Sequence, residues 1–353
     1  MAVLRPAGEF DESYAYDMAT IRRPWQWVLL IAFVAGLYAL PLFASQSLVS
    51  LINRIGITII AVQGLNLLTG YTGQISLGQA AFMTTGGYIS ALLMKEMGLP
   101  FPVTLVLAGL GTGLVGLLFG LPSLRVKGFY LVMATLAAQF IIPWFTRNAF
   151  RDLLNGAQGL NVPVPVIFGL RFDEPQSYLY LTLTVLVVTT VVAHNVARSR
   201  LGRAFVSIRD HDLAAELLGV NPFKYKLQAF FLAAVYAGLA GALSAHQLRH
   251  INSETFNLTD SVFLLGMLIV GGLGTSLGPI LGAILVELLI EAATLVGPLF
   301  VQAFPSTAAG AVQALRPLFF GVALMLFLIF EPKGLAHRWQ LIKAAWRLRP
   351  FSH

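Results

Sequence analysis

The sequence is informative first for what it lacks. There is no cysteine among its 353 residues, so a disulfide framework, a thiolate metal site and a cysteine nucleophile are all excluded. Charge is also scarce, because only 11% of the residues are Asp, Glu, Lys or Arg, whereas soluble domains contain about a quarter. With 57% hydrophobic residues, this composition indicates an integral membrane protein.

Apolar blocks of about 20 residues recur along the chain, and that is the length an α-helix needs to cross a bilayer. They predict an all-α polytopic membrane protein with about ten transmembrane helices. The predicted spans are residues 25–43, 50–70, 78–96, 101–121, 128–147, 178–196, 226–246, 258–273, 278–298 and 315–331. No soluble domain and no phosphate-binding loop interrupts them, so any use of ATP requires another chain.

The distribution of basic residues orients the predicted bundle. Most of the 23 Lys and Arg residues fall on one face, and the positive-inside rule makes that face cytoplasmic. We therefore expect both termini inside, with a cytoplasmic N-terminal segment over 1–24, a transmembrane domain over 25–331 and a basic cytoplasmic tail over 332–353. Residues 148–177, rich in Gly, Pro and Asn, are expected to form a periplasmic loop with short helices that do not span.

The polar loop 197–225 lies between two predicted spans and is rich in Lys and Arg, which places it in the cytoplasm. Within it, residues 213–219 predict a short amphipathic helix that stops at Gly219, before Asn221 and Pro222 begin the next helix. A compact helix offered to the cytosol usually serves a partner. We therefore predict a docking surface in this loop.

The stretch from Gly64 to Gln79 is unusual for a membrane segment, because its glycines alternate with amide and hydroxyl side chains. Backbone that leaves a helix at membrane depth needs protein or water as a partner, so the stretch predicts a polar translocation path. The alternative is a tight turn whose small residues let helices pack closely. Both interpretations stay open here. The candidate path residues are Gly64, Asn66, Gly70, Gly73, Gln74, Ser76, Gly78 and Gln79.

A second interruption runs from Gly266 to Gly282. Its glycines predict the end of one helix and the start of the next, with Ser276 as the cap and Pro279 in the first turn. The break could be a structural re-entry or a hinge for alternating access. The candidate hinge residues are Gly271, Gly272, Gly274, Gly278 and Pro279.

Two acidic residues, Glu287 and Glu291, lie four positions apart in an apolar run and so share one face of a predicted helix. Acidic groups in a membrane are costly, which predicts either a proton or cation relay, or a structural role through pairing with Arg54 or Arg316 or through solvation near the outer mouth. The structural role is favoured for Glu291, and Glu287 stays open. The six histidines make no metal set and no residues have catalytic spacing, so we expect neither a metal nor an enzyme.

Three blocks of the sequence resemble the LivM-type permease subunit of branched-chain amino acid ABC importers. They are residues 64–82, residues 199–219 and residues 271–282. The resemblance implies a type II ABC importer fold in a bacterial inner membrane, with no cofactor on this chain itself. It also implies three kinds of partner, namely a second related permease of the LivH type, two cytoplasmic ATPase subunits that bind ATP and magnesium, and a periplasmic solute-binding protein.

The same resemblance implies a coupling helix with the pattern Glu-Ala-Ala, three residues, then Gly. Leu213 stands where that pattern has Glu. The residues that would couple to the ATPase are Arg203, Arg209, Asp212, Ala214, Ala215, Glu216 and Gly219. On the other face, loops 148–177 and 299–313 would receive the binding protein.

We therefore expect a permease subunit that forms, with its partner permease, the path for branched-chain or other hydrophobic amino acids. Within the same importer class, urea, short amides or aromatic carboxylates are alternative solutes. From another class, a stand-alone secondary transporter could use protons through Glu287. An intramembrane enzyme has no motif to support it.

Overall fold

The structure, a computed structural model, describes residues 24–123, 129–149, 151–167, 169–303 and 308–347. The predicted cytoplasmic segment 1–24 therefore lies almost entirely outside the described residues, as do the end of the basic tail and part of loop 299–313. The side chain of Arg316, one of the two predicted partners of the glutamates, lies outside them too.

Helices make up most of the described chain. They are α1 (Pro24–Ala39), α2 (Gln46–Leu65), α3 (Gln79–Met97), α4 (Phe101–Ser123), α5 (Phe129–Trp144), α6 (Arg151–Leu154), α7 (Pro175–Arg198), α8 (Arg200–Leu217), α9 (Pro222–Leu248), α10 (Leu258–Gly271), α11 (Gly278–Ala303), α12 (Ala308–Phe330) and α13 (Leu335–Arg347). Two π-helices, Asn66–Tyr71 and Phe145–Ala149, continue α2 and α5, and a 3-10 turn, Leu40–Leu42, follows α1.

Each of the ten predicted spans coincides with one of these helices, apart from a few residues at the ends. In the described ranges, six helices are long and apolar enough to cross a membrane, or seven if α12 and α13, bent by 44°, form one broken span. The shortest of the coinciding helices, α10, has only 14 residues. The polytopic membrane class is thus confirmed, whereas ten crossings stay a prediction.

The all-α prediction needs one correction, because four two-residue strands are present. Strand β1 (Leu160–Asn161) pairs with β4 (His250–Ile251), and β2 (Val166–Ile167) pairs with β3 (Leu170–Arg171), both antiparallel. The short helix expected in loop 148–177 is α6. The pairing of β1 with β4 connects this loop to the end of α9. Backbone groups outside helices need hydrogen-bond partners, and short strands provide them. A hydropathy pattern does not reveal such pairing.

The core is built around α9, which packs along α2, α3 and α4. Small residues make this packing close: a Cβ on Gly86 would overlap the backbone of Gly238, and one on Gly241 would overlap the carbonyl of Met83. Glycine at such crossings lets helix backbones approach each other, which is how membrane helices gain contact without a hydrophobic driving force.

The two ends of the bundle differ in chemistry. Helix α7 runs between them, from the end that carries loop 148–177 to the end where α8 begins. We call the first the loop end and the second, with the Lys and Arg residues of loop 197–225, the basic end. The functional candidates divide between these two ends.

Candidate functional site

At the basic end, α8 is two helical pieces rather than one. Ser199 caps its start by accepting a hydrogen bond from the Leu201 amide at 3.1 Å. The backbone then leaves helical geometry at His211, with φ −161° and ψ 97°. The piece after this bend is the short amphipathic helix that the sequence predicts.

The predicted stop of this short helix is confirmed. The chain turns at Gly219, whose φ of +87° is readily adopted only by glycine. The Val220 amide donates to the Ala215 carbonyl at 3.0 Å, which closes the helix end. Asn221 then caps α9 by accepting from the Lys224 amide at 3.2 Å. The turn between α8 and α9 is therefore a well-defined tip.

The tip presents apolar surface to solvent. Leu217 and Leu218 are 90% and 86% exposed, and Leu213 is exposed beside them. The two alanines of the predicted coupling pattern separate, because Ala214 is exposed whereas Ala215 is 2% exposed and faces the protein. Leu213 thus adds apolar area where the family pattern would place a charge.

The predicted charged coupling residues have different surroundings. Asp212 pairs with Lys226 at 3.8 Å. Arg203 is exposed and donates to the Arg198 carbonyl at 3.2 Å, and Glu216 is exposed near the tip. Arg203 and Glu216 are therefore accessible to a partner.

Arg209 has partners on two sides: its Nε and Nη2 contact Asp210 Oδ1 at 3.0 Å, with 35% of the side-chain surface exposed, and its Nη1 reaches the membrane domain. Its Nη1 donates to the Gly70 carbonyl at 3.1 Å, where α2 ends as a π-helix. Two glycines make room for its side chain: a Cβ on Gly73 would lie 2.9 Å from Arg209 Cγ, and one on Gly274 would lie 2.7 Å from Nη1. Arg209 therefore touches both predicted helix breaks at once.

Asn66 joins the same two breaks. Its Nδ2 donates to the Thr275 carbonyl at 2.9 Å, and its Oδ1 accepts from the Gly274 amide at 2.9 Å. We call the contact set of Asn66, Gly70, Arg209, Gly274 and Thr275 the Arg209 junction. The sequence placed these residues in three separate motifs, and the structure brings them together.

The second break matches its predicted form except at the cap. Helix α10 ends at Gly271, followed by Gly272 with φ +114°, and Pro279 lies in the first turn of α11. The cap is Thr275 rather than the predicted Ser276, since the Gly278 amide donates to Thr275 Oγ1 at 3.0 Å. Thr275 lies three residues before that amide, which is the reach of a capping side chain, whereas Ser276 hydrogen-bonds to His194 at 3.2 Å.

The glycines of this break also set the distance between α10 and α11. A Cβ on Gly271 would overlap the carbonyl of Gly278, and one on Gly282 would overlap the carbonyl of Met267. The two helices therefore cross in backbone contact. That geometry serves a tight structural re-entry and leaves the hinge role a prediction.

The other candidate path residues lie mostly in packed contacts. Gln79 is fully buried, and its Nε2 donates to the Ala61 carbonyl at 2.9 Å. A Cβ on Gly64 would overlap Tyr236, and one on Gly78 would lie 2.8 Å from the Thr135 carbonyl. These contacts agree with the close-packing interpretation.

Four candidate path residues retain a cavity contact, a polar role or a free polar atom, and one of them is Gln79, whose Oε1 has no hydrogen-bond partner among the described residues. Asn66 lines a cavity of about 230 Å³ together with Gln63 and His194. Gln74 is buried with its Oε1 lacking a hydrogen-bond partner among the described residues, and Ser76 accepts from the Gly78 amide at 3.3 Å. The path role of the whole stretch stays a prediction, with Asn66 as its best-placed member.

A larger cavity of about 790 Å³ lies toward the loop end. Residues from α2, α9, α10 and α11 and from the segment before α7 line it. We call it the loop-end cavity. Its wall is mixed, with apolar side chains and seven Asp, Glu or Arg residues: Arg54, Asp173, Glu174, Arg249, Asp260, Glu287 and Glu291.

A charged cluster crosses this cavity between α2 and α11. Arg54 Nε pairs with Glu287 Oε2 at 2.9 Å, and Arg54 Nη2 pairs with Glu291 Oε2 at 2.7 Å. Thr58 donates to the other oxygen of Glu287 at 2.9 Å. The predicted pairing of Glu291 with Arg54 is observed, and Glu287, which the sequence left open, has the same partner.

Asp260 is a residue that the sequence reasoning missed. It lines the loop-end cavity and also completes a capping box at the start of α10, where its Oδ2 accepts from the Asn257 amide at 2.8 Å. The Asn257 side chain in turn accepts from the Asp260 amide at 3.2 Å. One sequence signal could have indicated this capping box: an Asn followed three residues later by an acidic residue, just before an apolar run.

In the described residues, no three His, Cys, Asp or Glu side chains are grouped so that they could hold a metal ion. What the bundle offers is a set of apolar membrane helices, a charged cavity toward one end and an apolar-tipped helix linked to two helix breaks at the other. These features define a multi-pass membrane permease.

Comparison with known proteins gives the family. The model of the branched-chain amino acid transport system / permease component family matches residues 47–328, and the chain belongs to this family. The high-affinity branched-chain amino acid transport system permease proteins LivM of Salmonella typhimurium and of Escherichia coli are each 32% identical over 295 residues, which cover 77% of this chain and 68% of the relative. The resemblance to LivM-type permeases is confirmed.

More distant proteins are similar as well. The probable branched-chain amino acid transport permease protein LivM of Methanocaldococcus jannaschii is 21% identical over 322 residues, covering 79% of this chain and 90% of the relative. Among solved structures, PsaBC from Streptococcus pneumoniae in complex with Fab covers 88% of this chain and 99% of its own, with 15% identity and a TM-score of 0.41. At that distance the likeness assigns no fold.

Proposed function

We propose that this chain works in a bacterial inner membrane as one of two permeases in a type II ABC importer. Its partner is a related permease of the LivH type, and together they form the path for branched-chain or other hydrophobic amino acids. Two ATPase subunits, which bind ATP and magnesium, dock on the basic end. A periplasmic binding protein delivers the solute to the loop end, and both termini lie in the cytoplasm.

The Arg209 junction is the observation that carries this proposal. A helix that merely lay on the surface would need no hydrogen bond to the membrane domain. The Arg209 side chain, however, donates to the Gly70 carbonyl where α2 ends. Asn66 ties that point to Gly274 and Thr275 at the start of α11. A displacement of α8 is therefore transmitted directly to two membrane helices.

The tip of α8 is suited to receive the ATPases. Its exposed leucines form an apolar patch, and Glu216 and Lys224 add charge at the rim. Apolar patches rimmed by polar residues mark protein interaction sites. In this mechanism ATP binding closes the ATPases and displaces the tip that is bound to them, and Arg209, two residues before the bend at His211, passes the movement to both helix breaks.

Two alternatives have less support. A stand-alone proton-coupled transporter would need Glu287 free to exchange protons, but both of its oxygens are engaged, by Arg54 and Thr58. Urea and short amides would form no ion pair in the loop-end cavity, and an aromatic carboxylate would pair only with its arginines. The amino acid class follows from the LivM relatives and from that cavity together.

The test is a substitution at the tip. Ala214→Arg places a long charged side chain on the face that would enter the ATPase, so the reconstituted importer should lose ATP-dependent leucine uptake by about tenfold or more. Ala157→Arg, also at an exposed alanine but in the loop at the opposite end, is the matched control and should leave docking of the ATPases intact.

Two measurements give the result, namely co-purification of the ATPases with the permeases and uptake into proteoliposomes. Unimpaired uptake by the Ala214→Arg variant, or solute movement by this chain in liposomes that contain no ATPase, contradicts the proposed function.

A further inference from the structure

The loop-end cavity combines features that suit one class of solute. We propose that it binds a zwitterionic α-amino acid with an apolar side chain, whose carboxylate contacts Arg54 and whose ammonium contacts Glu291 and Asp260. This inference rests on the proposed function and deepens it. It assigns solute contact to this subunit and places that contact outside the glycine-rich stretch from Gly64 to Gln79.

Arg54 has donor capacity left over. A guanidinium carries five N–H groups, and the two bonds of Arg54 to glutamates use Nε and Nη2. Nη1 has no hydrogen-bond partner among the described residues. The side chain is 44% exposed where it lines the cavity. A carboxylate arriving from the cavity can therefore bind Arg54 without breaking either ion pair.

The carboxylate oxygens of the cavity also divide into those that have a hydrogen-bond partner and those that have none. Glu287 has both oxygens engaged and is 8% exposed, so it holds Arg54 in place rather than binding solute. Glu291 Oε1 and Asp260 Oδ1 have no partner in the described part of the chain, and both side chains line the cavity. Asp260 also lies near enough to Glu287 to interact with it electrostatically. An ammonium group with three donors matches these two unused oxygens.

The charge balance of the wall discriminates between solutes. Five carboxylates and two guanidinium groups line the cavity. This excess of negative charge attracts a group that carries an ammonium and disfavours a simple anion, because like charges repel. Neutral urea or amides can hydrogen-bond to these groups but form no ion pair with them. A zwitterion satisfies Arg54 and the carboxylates together.

Much of the remaining wall is apolar and accommodates the solute side chain, beside polar residues such as Ser50, Ser244 and Gln247. Binding sites for small molecules are mostly apolar, with a few polar groups that fix orientation, and they occupy about 300–1,000 Å³. The loop-end cavity, at about 790 Å³, falls within that range. Its apolar lining includes Ile57, Met83, Phe256, Phe263, Leu264 and Met267.

The natural absence of cysteine makes a direct binding test possible. Ser50→Cys and Ser244→Cys each place a single thiol in the cavity lining, and Gln158→Cys places one on the exposed loop as the control. The assembled importer in proteoliposomes, without ATP, is labelled by a membrane-impermeant methanethiosulfonate reagent. The labelling rate is measured with leucine, 4-methylpentanoate, which lacks the ammonium, or 3-methylbutylamine, which lacks the carboxylate.

Saturating leucine should slow labelling of both cavity thiols by about tenfold, corresponding to occupancy of about 90%. The two analogues should protect less at the same concentration, since each leaves one set of charges unpaired. Labelling of the Gln158→Cys control should not change. Equal protection by leucine and 4-methylpentanoate, or no protection by leucine, overturns the inference.

Substitutions then assign the residues. Adding Arg54→Gln to Ser50→Cys should abolish protection by leucine, whereas Arg147→Gln, which breaks the 2.6 Å pair with Glu254 outside the cavity lining, should preserve it. If Arg54→Gln prevents assembly, Glu291→Gln takes its place, because it leaves the pair between Arg54 and Glu287 intact. Full protection in an assembled Arg54→Gln or Glu291→Gln variant overturns the assignment.

The same vesicles separate this inference from the proposed function. Absence of ATP-dependent leucine uptake by the unsubstituted importer contradicts the importer itself. Normal ATP-dependent uptake together with cavity thiols that leucine does not protect contradicts only the binding site.

Discussion

Two arginines, Arg54 and Arg209, each join segments far apart in the sequence, but their surroundings differ. Arg54 pairs with two carboxylates and faces a cavity of about 790 Å³. Arg209 pairs with Asp210 beside it in the sequence and donates to the Gly70 carbonyl, and its side chain packs against Gly73 and Gly274, where a Cβ would not fit. Arg54 therefore borders open space, whereas the Nη1 end of Arg209 lies in tight contact with two backbone segments.

The difference separates binding from coupling. A group that receives a solute needs unused hydrogen-bonding capacity next to a space that the solute can enter. A group that transmits movement needs tight contact, because packed interfaces shift as units and do not deform gradually. The loop-end cavity meets the first condition and the Arg209 junction meets the second, which supports the division of tasks that we propose for the two ends of the bundle.

The largest expected effect comes from adding bulk to the junction. A Cβ on Gly70 would overlap Asn66 and the backbone of Gly274, so Gly70→Val should destabilise the chain by about 3 kcal/mol or more. Ser50→Val adds carbon to the open cavity and should change stability by less than about 1 kcal/mol. Thermal unfolding in detergent compares them, and equal losses would erase the distinction between the two regions.

Next in size is removal of one charge from the cavity cluster. Glu287→Ala leaves Arg54 with Glu291 alone, and we expect a loss of about 2 kcal/mol, which is below the usual cost for a buried pair because Arg54 is 44% exposed. The double substitution Arg54→Met with Glu287→Met should regain stability yet lose leucine uptake. Recovery of both properties would mean that the cluster has only a structural role.

A comparison within α8 isolates the coupling role. Arg209→Ala removes the bond to Gly70 and should lower stability by only about 1 kcal/mol, while ATP hydrolysis continues without leucine uptake. Arg200→Ala, at an exposed arginine of the same helix that is not among the predicted coupling residues, should leave the ratio of uptake to ATP hydrolysis near that of the unsubstituted importer. Identical ratios for the two variants would argue against transmission through Arg209.

The smallest effect is expected at Thr58. Thr58→Val deletes one hydrogen bond to Glu287 while keeping side-chain volume, so stability should fall by about 1 kcal/mol. Leucine uptake should persist with a raised KM, because Glu287 then holds Arg54 less firmly. Uptake kinetics in the reconstituted importer measure this, and an unchanged KM would show that the orientation of Arg54 does not depend on Thr58.

Local features of the fold were predictable from sequence because their causes are local. The ten predicted spans coincide with helices, since apolar length and period depend only on nearby residues. The stop at Gly219 and the start at Asn221 and Pro222 follow from backbone conformation and capping. The prediction of Ser276 as the cap was wrong. Thr275 and Ser276 are both residue types that cap helices, and in the structure Thr275 accepts from the Gly278 amide while Ser276 contacts His194.

The candidate site was only partly predictable. The sequence indicated Asn66, Arg209 and the glycines as separate motifs, and it named Arg54 only as a partner for the glutamates. It did not indicate Asp260, which both completes a capping box and lines the loop-end cavity. The sequence also could not decide whether Gly64 and Gln79 serve helix packing or a translocation path. That depends on which residues of other helices lie beside them.

What the sequence by itself determined is the class of protein and the position of its helices, breaks and basic loop, because hydropathy, charge and glycine act within a few neighbouring residues. Only the tertiary structure decided which of these meet. The bond from Arg209 to Gly70 joins residues 139 positions apart, and the pair of Arg54 with Glu287 joins residues 233 apart. Contacts over such separations arise from how the helices pack, and no local pattern encodes them.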